Sequence, residues 1–156
     1  VKVTLPNEQV QKLVTALERA GTSESGGQLF GEQLAPSQFR VTDLTVQSRR
    51  GSFASFIVDV VEAGKAALGF FRRTGHNYAR HNYIGEWHSH PSFAVEPSTK
   101  DANTMRDLVG AEDFAGSFAV LMIARLDGPK LRTGAWLYDP RGNEQRVTLE
   151  FEDGGH

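Results

Sequence analysis

At 156 residues and a formal net charge of -2, the chain has room for one core of ordinary size and too little positive charge to be built around a phosphate backbone. Hydrophobic residues make up 39% and charged residues 23%, the balance of a globular protein, and no apolar run approaches the ~20 residues that cross a bilayer. Cysteine is absent, which excludes disulfides, a thiol nucleophile and thiolate metal ligands and leaves His, Asp and Glu as the metal-binding side chains. The tight basic clusters, Arg49-Arg50 and Arg72-Arg73, are too short to be more than surface charge. The first residues, VKVTLPNEQ, lack the apolar core of a signal peptide, so the expectation is a cytoplasmic protein with neither a nucleic-acid nor a membrane partner.

Asn7-Glu8-Gln9, followed by Val10, Leu13, Val14 and Leu17, predicts a capped amphipathic helix that stops near Ala20-Gly21. Residues 26–31 and 39–44 read as two strands joined through Pro36-Ser37, and 52–59 (SFASFIVD) as a third. Residues 60–73 are helical in composition, although Gly64 and Gly69 weaken them. A strand is expected over 82–88 and a second helix from Ser98 to about Val109. The apolar run 117–125 is long enough for a buried central strand. Residues 131–138 and 144–151 alternate and are expected to close the sheet as a meander. The sum is one α/β domain over residues 1–156, with a mixed central sheet and two or three flanking helices.

The chemistry concentrates in GEWHSHPSFAVEPSTKD, residues 85–101. In a strand, His88 and His90 point to one face, while Trp87 and Ser89 point to the other. Pro91 then ends the pairing because it has no N–H to donate. Ser98 and Asp101, three residues apart in the first turn of the next helix, can face the same point. Two imidazoles and a carboxylate give zinc three protein ligands and leave the fourth tetrahedral position for water. Each feature also has an ordinary reading: Ser98-x-x-Asp101 fits a capping box, and a histidine pair on a strand fits a polar surface. Amide hydrolysis further needs a general base. On spacing alone, Glu24 and Glu86 compete for that role, Glu86 sharing a strand face with His88. His76 and His81 read as solvated or substrate-side residues, and Phe53, Phe56, Phe70, Phe71 and Trp136 as core or groove.

His88-Ser89-His90-Pro91 with Ser98-Thr99-Lys100-Asp101 resembles the JAMM motif of the JAB/MPN-type metalloproteases, and Glu24-Ser25-Gly26-Gly27 resembles the upstream glutamate segment of that family. The resemblance spans about residues 5–140 and implies a JAB/MPN domain of cytidine-deaminase-like fold. It implies one zinc held by His88, His90 and Asp101, Glu24 as general base and Ser98 stabilising the tetrahedral intermediate. The implied activity is that of an isopeptidase or peptidase acting after the C-terminal tail of a ubiquitin-like protein. GEWHSHP and PSTKDANTM look like the stand-alone prokaryotic branch, including the deconjugating peptidases of CBASS antiphage systems that act on a conjugated cGAS-like nucleotidyltransferase. Processing of a sulfur-carrier protein or its cysteine adduct, and a non-catalytic MPN interaction module, are the alternatives. The tail-binding edge is expected at 49–58 and 72–82; the sequence leaves the oligomeric state open.

Overall fold

The computed structural model describes residues 1–47, 72–73, 75, 81–92, 94–111, 114 and 116–152. Their strands form one eight-stranded mixed sheet in the order β7-β6-β5-β4-β2-β3-β1-β8. The strands are β1 (Lys2–Leu5), β2 (Gly26–Ala35), β3 (Gln38–Leu44), β4 (His81–Ser89), β5 (Ala119–Asp127), β6 (Lys130–Tyr138), β7 (Glu144–Arg146) and β8 (Thr148–Phe151). Two helices are described, α1 (Asn7–Ala20) and α2 (Thr99–Gly110). The α/β architecture expected from the sequence is therefore present. The expectations for 52–59, for 60–71, for His76 and for Phe53, Phe56, Phe70 and Phe71 lie outside the described residues, as does most of the expected tail-binding edge.

Helix α1 buries Leu13, Ala16 and Leu17 among Leu29, Val41, Leu44, Trp87, Val120 and Met122, in a core to which β1 to β6 all contribute. Helix α2 covers the other face, with Ala102, Met105 and Val109 against Ala119, Leu121 and Ile123 of β5. Strand β5 is thus buried on both faces, which is why its sequence is a continuous apolar run rather than an alternating one. Gly85 lets β4 lie beside it: a Cβ there would run into the backbone of Val120.

Three details differ from the sequence reading. The α1 N-cap is Pro6, with no side-chain cap bond, so Asn7 is the first helical residue rather than the cap. Strand β1 was not anticipated; four residues ended by Pro6 make a weak signal, although Val1, Val3 and Leu5 alternate with Lys2 and Thr4. The last strand is not a simple meander. Buried Val147 breaks it, so that β7 pairs antiparallel with β6 and β8 pairs parallel with β1. Since one residue separates β7 from β8, the two ends of the sheet are brought together around α1.

Candidate metal centre

The centre forms where β4 ends. Antiparallel pairing puts Gly26 opposite His88, so continuing the register carries Ser25 to Ser89 and Glu24 to the level of His90. The alignment is fastened on both sides of Ser25: the Ser89 amide donates to the Ser25 carbonyl at 2.9 Å, and the Ser25 amide donates to Ser89 Oγ at 2.7 Å. The His90 amide donates to Ala124 O at 2.9 Å, tying the residue to β5 just before Pro91 releases the chain. A separation of 64 residues in sequence becomes a direct cross-strand neighbourhood.

The third arm comes from α2. Ser98 is its N-cap and makes a reciprocal capping box: the Asp101 amide donates to Ser98 Oγ at 3.0 Å, and the Ser98 amide donates to Asp101 Oδ2 at 2.9 Å. The cap therefore orients the Asp101 carboxylate, whose Oδ2 lies 3.0 Å from His90 Nε2. The capping and ligand readings of Ser98-x-x-Asp101 are compatible in one geometry. Glu24 Oε1 sits 3.9 Å from His88 Nε2, at the more exposed side of the cluster.

His88, His90 and Asp101 are buried, and each offers a ligand atom within 4.8 Å of the others. A tetrahedral zinc site with bonds near 2.0–2.1 Å has ligand–ligand edges of ~3.3 Å; the His90–Asp101 pair at 3.0 Å matches that edge, and the remaining separations are no more than 4.8 Å. The donor set fits the ion as well. His90 Nδ1 is 2.8 Å from the Ala94 carbonyl, which only accepts, so Nδ1 carries a proton. Nε2 of the neutral ring then faces the Asp101 carboxylate lone pair to lone pair. That approach is favourable only with a proton or a cation between the two atoms. A backbone carbonyl orienting the far nitrogen of a ligating imidazole is the usual support for such a ligand.

Protonation follows from the same geometry. Burial disfavours charge on His90, but the Asp101 carboxylate and the Ala94 carbonyl outweigh it and raise the imidazole above its usual 6.5. Burial also pushes Asp101 upward, yet the bonds from His90 and Ser98 hold it below the ordinary carboxylate range. For His88 burial dominates and brings the imidazole down to about 4, leaving it neutral and ready to ligate.

Glu86 shares the His88 face, as expected, but it is embedded rather than accessible. It is 5% exposed and accepts from Tyr83 Oη at 2.9 Å. Burial raises its carboxyl to about 8, against the bonds from Tyr83 and Gln28. A protonated, enclosed carboxyl is poorly placed to take a proton from water near neutral pH. His81 opens β4 at the end remote from His88, and Trp136 packs in the core beneath Arg146, whose guanidinium lies 5.1 Å from the ring centroid. The Tyr83–Glu86 pair and the Ser25–Ser89 clamp were not anticipated. The only sequence signal for the clamp is a serine at the strand position between the two histidines.

An α/β fold with a buried His-His-Asp cluster at a strand–helix junction defines a protein with a candidate metal centre. A family model described as prokaryotic homologs of the JAB domain matches residues 6–137, and the chain belongs to that family. Among solved structures, it is similar to the solution structure of protein DSY2949 from Desulfitobacterium hafniense, with 21% identity and a TM-score of 0.64 over 99% of this chain and 97% of that one. At that identity the likeness concerns the fold. A comparison with curated proteins finds no significant match.

Proposed function

We propose that the chain is a zinc-dependent peptidase or isopeptidase with His88, His90 and Asp101 as metal ligands, Glu24 as general base and Ser98 as oxyanion donor. The observation that carries this reading is the placement of the Glu24 carboxylate 3.9 Å from His88 Nε2, beside a buried triad that needs a cation or a proton between His90 and Asp101. Bound zinc would supply Lewis acidity and a water acidified towards neutral pH. Glu24, with its side chain 37% exposed, is free to take a proton from water and return it to the departing amine. Ser98 Oγ accepts from the Asp101 amide, which leaves its own hydroxyl hydrogen to be donated to a developing oxyanion. Ser89 and Ser25 hold Glu24 level with the histidines.

The substrate we infer is the extended C-terminal tail of a ubiquitin-like protein, or of a cGAS-like nucleotidyltransferase conjugated to its target in CBASS antiphage defence. The similarity of GEWHSHP and PSTKDANTM to stand-alone prokaryotic JAB proteins supports that branch. Processing of a sulfur carrier is the competing substrate class. The test assays a tail-linked protein conjugate and a sulfur-carrier cysteine adduct side by side with the zinc-loaded protein. Conjugate cleavage that is abolished by chelator, restored by zinc and indifferent to thiol-blocking agents supports the proposal. Cleavage of the adduct alone transfers the enzyme to sulfur-carrier processing, and cleavage of neither with zinc bound refutes the peptidase reading.

A further inference from the structure

A cavity of about 610 Å³ opens beside Glu24, between the outer face of α1 and the chain leaving β3. On the helix side, Lys12, Thr15 and Arg19 fall at i, i+3 and i+7 and so share one face, with Ala16 as a small residue at the floor. On the other side, strand-like pairing continues past β3: the Thr45 amide donates to Gln28 O and the Gln47 amide to Gly26 O, both at 2.9 Å. Alternation turns the Val46 N–H and C=O the opposite way, towards α1. Earlier along that same edge, the Gln9 side chain acts as a substitute strand partner, donating to Thr42 O and accepting from the Leu44 amide, each at 2.8 Å. At Val46 that substitute is missing, and no hydrogen bond engages its backbone among the described residues. The Val46 side chain, 39% exposed, lies in the cavity wall.

Resting on the peptidase reading, we infer that this cavity is a substrate subsite for an extended segment that pairs with the Val46 backbone and carries an acidic side chain near the cut. An unpaired strand edge gives affinity without regard to sequence, and the flanking wall supplies the selectivity. Among the described residues, both formal cations of that wall, Lys12 and Arg19, come from α1, while its acids Glu8 and Glu18 lie outside the lining. Glu24 is the one acid in the lining among the described residues. An Asp or Glu side chain on the bound segment meets complementary charge, whereas an arginine-bearing tail meets like charge.

The test uses the zinc-loaded full chain and a set of peptides in which Asp or Arg is placed in turn at each of several positions flanking the cut. At one position or more, kcat/KM favours Asp by roughly tenfold, as two partly screened charge pairs allow. The preference resides in KM, collapses in about 1 M salt, and shrinks in K12E and in R19E measured separately. Equal cleavage of Asp and Arg peptides at every position, or a preference for Arg, overturns the subsite while leaving the peptidase reading intact. If no peptide is cleaved, anisotropy with the same labelled peptides and zinc-loaded E24Q decides: acid-selective, salt-sensitive binding sustains the subsite, and unselective binding or none overturns it.

Discussion

Replacing Glu86 by Gln separates a buried protonated acid from a working base. Glu86 is 5% exposed, and its carboxyl is raised by burial to about 8 from the ordinary 4.5. Because the folded state holds this proton more tightly than the unfolded chain, stability contributed by the group is fully present below about pH 4.5. It falls by ~1.4 kcal/mol for each pH unit until the folded carboxyl ionises near 8. Over the whole window the loss is about 5 kcal/mol, a large share of the stability of a small domain. Gln is close in shape to the protonated acid and can still accept from Tyr83 Oη. It has no proton to lose. Urea unfolding of both metal-free proteins in chelator at pH 5.5 and 7.5 is the assay. The His90–Asp101 pair titrates in both and cancels in the difference. Glu86→Gln should gain on the parent by about 2–3 kcal/mol between those two pH values. Parallel stability profiles would mean that Glu86 is already ionised near neutrality, and would return it to contention as the base.

Three further outcomes follow from individual bonds. Ser98→Ala should cost about 1 kcal/mol by removing the α2 cap, whereas Ser98→Asn should keep most of that stability; both should lose at least tenfold in turnover if the hydroxyl acts on the oxyanion, as urea titration and peptide kinetics would reveal. Ser89→Ala leaves the buried Ser25 amide without its 2.7 Å acceptor, so unfolding free energy should drop by about 1–3 kcal/mol and kcat should fall with it. Zinc uptake at pH 6.5 should release a proton, because the His90 imidazole is raised above 6.5 and must be neutral to ligate. Affinity should therefore climb with pH until that imidazole has titrated, and calorimetry in buffers of different ionisation enthalpy reads the proton directly.

What the sequence disclosed depended on how local the signal was. The helix periodicity of Val10, Leu13 and Leu17, the turn at Pro36-Ser37 and the apolar run of β5 are short-range patterns, and they anticipated α1, the β2–β3 hairpin and the buried strand. Ser37 takes the left-handed φ of 62° that this tight connection demands. His88 and His90 could be placed on one face from strand alternation alone, and Ser98 with Asp101 from capping chemistry. Glu24 could not be placed by spacing. Its proximity to the histidines depends on β2–β4 register across 64 residues, which the resemblance to a motif suggested and the pairing of Gly26 with His88 accounts for. The same limit explains the misreading of the C-terminal strand. Its alternation fits either edge of the sheet, and only the burial of Val147 divides it between β6 and β1.

The proposed division of labour between metal ligands and base is tested most directly by measuring zinc content and turnover on the same sample of Glu24→Gln. The expected result is about one zinc per chain with turnover reduced ~10²–10⁴-fold, since Glu24 stands beside the His88–His90–Asp101 cluster without belonging to it. A zinc-loaded Glu24→Gln protein that cleaves at the parent rate would contradict the account.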